Sequence, residues 1–349
     1  MDLELSDEQT LLSESVETLL ARNWVDPGGA WEAGADTRRK VWDELVSFGA
    51  LDESLGAVEL GLISRALGAH LASVPFLGSA ALRYALGQTA DSVSIALLEP
   101  GGGWGTTSMR TNVAAQALSG RKVAVEHADW VDRFAVVASE GDEPALALVP
   151  AAEATSEPQP SLDPTVPLAA VAFDDVPVPD DALASGDAAA TVLERLSTIG
   201  ALLAAADAVG AAGHVLDDAC RYAGERRQFG HTIGSNQALR HLLADLYVRQ
   251  ASAWSTVLFA SAALDDGAPD AAHTASIAKA YVARSAREVA HGAMQVFGGI
   301  AFTAEHPAHR FLRRIVVRER QFGDATHHER ALGRMLAETR LPTVAEVGA

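Results

Sequence analysis

The chain has 349 residues, 48% hydrophobic and 21% charged, a balance that suits a globular protein of two or three domains. A formal net charge of -19 argues against sequence-independent DNA binding, which needs a basic footprint, but leaves room for a nucleotide held by a local basic patch. A single cysteine, Cys220, excludes an internal disulfide framework; with a polar, acidic start unlike a secretory signal, the expected compartment is the cytoplasm.

Residues 1–90 read as helical. Ser6 with Gln9 has the form of a capping box, in which each side chain satisfies a free backbone N–H, and Leu11, Leu12, Val16, Leu19 and Leu20 follow at helical spacing. Trp42, Leu45, Val46 and Phe48 predict a second helix ending at Gly49, and Leu60–Leu67 and Ala80–Leu86 predict two more. Over 91–183 the texture changes to short apolar runs: Val93–Leu98, Val113–Leu118, Lys122–Val125, Phe134–Val137, Ala145–Val149 and Leu168–Phe173. Turn residues separate them, which predicts a small β-barrel or sandwich. Ser156–Pro167 reads as a proline-bearing loop, and Val176-Pro177-Val178-Pro179 as an exit linker, because proline removes ladder donors. Over 184–349 the chain is helical again, with candidate helices at Ala188–Ala223, Asn236–Leu264, Ala271–Phe297 and Thr326–Glu338 that suit a bundle. The apolar stretch Ile199–Leu216 carries Asp207 and His214, which fits a buried core helix rather than a membrane span. The expected class is α+β, mostly α, in three parts.

Two clusters carry chemistry. The first is Glu225-Arg226-Arg227-Gln228-Phe229-Gly230, followed by Gln237, between two long helices. The second is Gln295-Val296-Phe297-Gly298-Gly299, followed by Glu305-His306-Pro307 and a run of arginines. Taken singly, the first is also a basic helix end with a turn, and the second a helix C-cap with a loop. Together they resemble the acyl-CoA dehydrogenase family, closely over about residues 205–330, from AVGAAGHVLDDACRYAGERRQFG to QVFGGIAFTAEHPAHRFLRR. The N-terminal helix and the segment VAFDDVPVP are similar more loosely.

The resemblance implies an N-terminal helical domain, a middle β-domain and a C-terminal four-helix bundle. It implies FAD, with Arg226, Gln228, Phe229 and Gln237 facing the cofactor across a subunit interface and Gln295, Gly298 and Gly299 approaching it from the same side. Arginine suits that place because its planar fork pairs phosphate oxygens bidentately. The implied reaction is α,β-desaturation of an acyl-CoA, in which a carboxylate removes the α-proton and the flavin accepts the β-hydride. Electron-transferring flavoprotein is the family's usual electron acceptor.

The chain departs from this pattern at the flavin ring. The family's usual base position falls at Phe322, and its alternative falls at Gly200, so neither can take a proton. Asp324 is the candidate substitute base; Glu194 and Glu305 are weaker ones. Ala124 and Glu126 stand where the family packs aromatic and hydroxyl residues on the ring. An intact cross-subunit half and a degraded ring half resemble the non-base subunit of heteromeric α2β2 acyl-CoA dehydrogenases, including those of actinobacterial steroid breakdown. A self-sufficient homo-oligomer with Asp324 as base, and a flavin monooxygenase or cofactor-free scaffold, are the alternatives. Shortened N-terminal and middle parts suggest a wider cavity for a ring-bearing thioester. The strip Arg310, Arg313, Arg314, Arg318 and Arg320 suits either cofactor phosphates or an ion-pair or interface role. His327, His328 and Glu329 are adjacent in sequence and make a poor metal set, so no metal is expected.

Overall fold

The computed structural model describes residues 4–87, 92–104 and 109–338; the expected segments extend outside these at 1–3, 88–91, 105–108 and 339–349. Helix α1 (Asp7–Asn23) opens on the capping box, with Ser6 Oγ accepting from Gln9 N–H at 3.2 Å and Gln9 Oε1 accepting from Ser6 N–H at 3.0 Å. Helix α2 (Ala35–Phe48) ends where Gly49 turns left-handed at φ 93°. Helices α3 (Ala57–Ala69) and α4 (Phe76–Leu86) begin before their apolar runs. The N-terminus of α3 is closed from a distance: Asp265 takes the Ala57 and Val58 N–H groups at 2.7 and 3.0 Å.

The middle of the chain forms strands β1 (Val93–Ala96), β2 (Asn112–Ala114), β3 (Ala117–Glu126), β4 (Arg133–Glu140), β5 (Glu143–Pro150), β6 (Thr155–Gln159), β7 (Leu168–Pro177) and β8 (Leu183–Ser185). They make one hydrogen-bonded sheet in the order β6-β7-β3-β2-β4-β5-β8, with β1 parallel to β4. The two-residue period of β4 assigns its faces: Phe134, Val136 and Ala138 enter the core of the sheet domain, while Ala135 and Val137 join the helical core. Two sequence expectations are corrected here. The loop expected from Ser156 onward begins as a strand, with β6 antiparallel to β7 from Thr155 to Gln159. Val176 and Pro177, expected in a linker, pair with Leu118 and Ala117, because a proline at the last strand residue removes no interior ladder bond.

Helices α5 (Gly186–Glu225), α6 (Gln237–Asp265), α7 (Ala271–Phe297), α8 (Ala308–Arg320) and α9 (Ala325–Glu338) follow. Among the described residues α5 alone is long and apolar enough to cross a membrane, and most of that stretch is buried inside the protein. Its small residues let α3 approach closely: a Cβ on Gly210 would overlap the Arg65 carbonyl, and one on Gly68 the Asp207 carbonyl. Helix α8 is absent from the sequence expectation, which reads its residues only as an arginine strip. It runs alongside α5, with the His214 ring stacked on Phe311 at 4.8 Å and Arg314 bound to Asp207 at 3.0 Å.

Candidate functional sites

The first motif cluster forms a protruding hairpin. After α5, strands β9 (Arg227–Gln228) and β10 (His231–Thr232) pair antiparallel, joined by Phe229 at φ 52° and Gly230 at φ 85°. Two left-handed residues in succession fit a two-residue hairpin whose twist matches its strands, and the Phe accepts strain that a Gly would not. Phe229 is 96% exposed, and Arg226, Gln228 and Gln237 are exposed with it. Gln228, Phe229, His231, Ile233 and Leu239 line an open groove of about 420 Å³.

The second cluster lies at the same end of the bundle. Tyr222, four residues before Arg226, packs its ring on Phe297, one residue before Gly298, at 5.3 Å. Gln295 and Gly299 are exposed, and Gly298 has φ 70° and ψ -145°, a conformation open to glycine. Phe302 beyond them is 77% exposed. The fold therefore brings both clusters together on one surface. Exposed amides, guanidinium groups and an aromatic ring there suit the phosphates and adenine of FAD.

The two positions where the family pattern places a base also meet, elsewhere in the molecule. Phe322 lies in the loop between α8 and α9, and its ring packs so closely on Gly200 of α5 that a Cβ on Gly200 would overlap it. Trp104 stacks with the same ring, with centroids 6.1 Å apart and planes at 28°. The cavity left beside them is about 50 Å³, lined by Leu97, Trp104, Ala124, Glu126, His127 and Phe322 among others. Ligand pockets start at roughly 300 Å³, so a flavin ring does not fit here in this chain. The expected wide cavity for a ring-bearing thioester is therefore corrected: two aromatic rings occupy that space.

Phe322 holds φ 53°, a left-handed state that costs a non-glycine residue about 1–2 kcal/mol. Its neighbours fix it there. His328 donates from Nε2 to the Phe322 carbonyl at 2.9 Å, while Nδ1 faces Ser276 Oγ at 3.2 Å. Burial pushes the His328 imidazole down to about 4, so it is neutral and its Nε2 carries the proton. Arg318 donates to Gln321 Oε1 at 2.7 Å, and buried Lys279 donates to the carbonyls of Arg318 and Glu319 at the end of α8. Burial lowers Lys279 to about 7. Asp324, the candidate base, accepts from the His327 N–H at 2.9 Å as the cap of α9 and faces Arg320 at 3.7 Å. It does not line the cavity; Glu194 and Glu305 are exposed elsewhere.

The arginine strip divides by face. Arg314 is fully buried and binds Asp163 at 2.7 Å, Asp207 at 3.0 Å and the Ala72 carbonyl at 2.8 Å. Arg318 binds Glu126 at 2.9 Å and Asp207 at 3.1 Å, and Arg310 binds Glu32 at 3.0 Å. These three make internal ion pairs; Arg313 and Arg320 are exposed. Glu126, misplaced beside a flavin ring, is thus the acceptor that satisfies a buried arginine. Nearby, Lys122 is completely buried against Glu99 at 3.1 Å. Burial alone would raise the Glu99 carboxyl, but the Arg110 and Thr111 N–H groups and Lys122 hold it down to about 2. Among the described residues no three His, Cys, Asp or Glu side chains are grouped to hold a metal ion.

Phe322 and Gly200 are legible in the sequence as lost positions, whereas Trp104, Lys279 and the inward role of His328 are not. Trp104 ends a Gly-rich turn with no periodic signal, and His328 looks like one of an adjacent pair until the helix turns it inward.

Residues 190–337 match the family described as acyl-CoA dehydrogenase, C-terminal domain. The acyl-CoA dehydrogenase IpdE2 of Mycolicibacterium smegmatis is 36% identical over 160 residues, 46% of each chain. The chain spans about half or less of the length of the first curated relatives it matches. The fold of the whole chain is like that of the ChsE4-ChsE5 complex from Mycobacterium tuberculosis, with a TM-score of 0.86 at 24% identity over 98% of this chain and 100% of that one. It is equally like butyryl-CoA dehydrogenase from Megasphaera elsdenii, with a TM-score of 0.87 at 20% identity over 97% and 100%.

Proposed function

We propose that this chain, whose residues 190–337 match the acyl-CoA dehydrogenase C-terminal domain and whose fold is like that of butyryl-CoA dehydrogenase, is a member of that family and the non-base subunit of a heteromeric FAD-dependent acyl-CoA dehydrogenase. The observation that carries this reading is the Phe322 ring seated on Gly200, which fills both base positions with groups that take no proton. Asp324 is occupied as a helix cap, which counts against the self-sufficient alternative. When bound, FAD accepts the hydride from the thioester's β-carbon; the proton acceptor in this reading belongs to the partner subunit.

This chain's part is binding. Arg226 pairs phosphate oxygens through its fork, Phe229 covers an apolar part of the cofactor, and Gln228, Gln237 and Gln295 supply amide hydrogen bonds. Gly298 and Gly299 let backbone approach without a Cβ in the way. The partner is a second acyl-CoA dehydrogenase chain, the substrate an acyl-CoA, and electron-transferring flavoprotein the expected oxidant of the reduced cofactor. The domain limits 1–90, 91–183 and 184–349 belong to the same proposal.

The test is FAD content by visible absorbance, with the chain alone and then co-expressed with a neighbouring acyl-CoA dehydrogenase gene. A colourless chain alone and about one FAD for every two chains in the complex are expected, since each mixed pair would share one site. A yellow chain that bleaches alone on adding acyl-CoA would reject the reading.

A further inference from the structure

We infer that Phe322 is an occluding residue, a ring packed on Gly200 and stacked with Trp104 that closes this chain's own cleft to a flavin ring. This rests on the accessory reading above but goes beyond it: loss of a base needs only a side chain that cannot ionise, whereas occlusion needs one that fills space and is kept there.

Three observations support the stronger statement. First, the fit is mutual. Gly200 has no room for a Cβ because Phe322 occupies it, and Trp104 stacks with the same ring. Second, the ring is held against a backbone preference. Phe322 sits at φ 53°, and its carbonyl is the acceptor of the inward-turned His328. A strained residue persists only where its surroundings over-determine it. Third, the loop is tied on both sides. Gln321 is bound by Arg318, the end of α8 is closed by Lys279, and Asp324 caps α9. Gly323 at φ 97° has no room for a Cβ between His327 and His328. The loop therefore has little freedom to swing the ring out of the cleft. His328 is a positioning residue: it acts on the cleft only through Phe322.

The probe is lumiflavin, the flavin ring without its nucleotide tail, titrated by fluorescence quenching into the full chain purified alone. Because lumiflavin lacks the phosphates and adenine, the exposed hairpin contributes little to its binding. The wild type is expected to show no saturable quenching. Phe322→Gly, which removes the ring and suits the positive φ, and the double variant Trp104→Ala with Phe322→Gly are expected to bind saturably, at least about tenfold more tightly than the wild type. Circular dichroism and the melting transition establish that each variant is folded; if the double variant is not, Phe322→Gly decides. Saturable binding by the wild type, or folded variants that bind no better than it, would overturn the inference. The FAD content of the wild-type mixed complex is read separately. About one FAD per two chains beside lumiflavin-binding wild type would remove the occlusion and leave the accessory role standing. Bleaching of the chain alone by acyl-CoA would remove the accessory role itself.

Discussion

At the scale of the residue, His328 makes the cleft sensitive to acid. Its folded value of about 4 lies below the ordinary 6.5, so between these values the unfolded chain binds more protons than the folded one. Stability therefore rises with pH through this window; the contribution of His328 is complete above about 6.5 and is lost as pH falls toward 4. His328→Gln should flatten the acid limb of the melting temperature measured from pH 4 to 7; parallel limbs for variant and wild type would assign the sensitivity elsewhere. Phe229 makes a different prediction. At 96% exposure its truncation should change the stability of the isolated chain by no more than about 0.5 kcal/mol. In the mixed complex Phe229→Ala should weaken FAD retention about tenfold or more, as for a buried aromatic anchor. Equal FAD affinity would take the hairpin out of the cofactor site. These two residues also show how far sequence alone reaches. Phe229 is legible because its Arg-x-Gln-Phe-Gly setting is local. His328 is not, because its partner Phe322 carbonyl is offered only by a loop that turns left-handed twice, at Phe322 and Gly323.

At the scale of the element, helix periodicity served where inward faces are apolar and failed where they are charged. The bounds Ala271–Phe297 of α7 follow from its apolar stripe, and the capping box gives the start of α1. Helix α8 escaped because its inward face carries Arg310, Arg314 and Arg318 at four-residue steps, where a pattern reader expects leucine. The partners that make those arginines tolerable, Glu32, Asp207 and Glu126, come from remote parts of the chain. Strand β6 escaped for a related reason, since its residues are mostly exposed and supply no alternation. Glycines along α5 separate packing from propensity. Gly210→Ala must push α3 away and should cost about 1–3 kcal/mol. Gly224→Ala, near the end of the same helix with open space around it, should stabilise by roughly 0.5–1 kcal/mol. Urea midpoints for the two variants should therefore move in opposite directions; a shared direction would contradict the close α3–α5 contact.

At the scale of the whole molecule, Arg314 joins parts that the sequence reading treats separately. Its guanidinium meets Asp163 before β7, Asp207 in α5 and the Ala72 carbonyl before α4, all from α8. Removing it leaves buried Asp163 without its cation and Asp207 with Arg318 alone, so Arg314→Ala should cost about 3–5 kcal/mol and lower the urea midpoint accordingly. A loss below about 1 kcal/mol, the range of exposed pairs, would show that the network is hydrated rather than structural. The three-part architecture was legible from texture, because helical and strand periods alternate in blocks. The way the parts are joined was not, since an ion pair between distant segments leaves no local pattern.

Helix α5 can also be read as a ruler. Gly200 faces the Phe322 ring and Glu225 ends at the hairpin, which puts the two about 38 Å apart along a continuous helix. That span keeps the hairpin and the plugged cleft of one chain in separate parts of the molecule. A hairpin lesion would then be expressed in a neighbour's cofactor, whereas a lesion in the plugged cleft would leave that cofactor untouched.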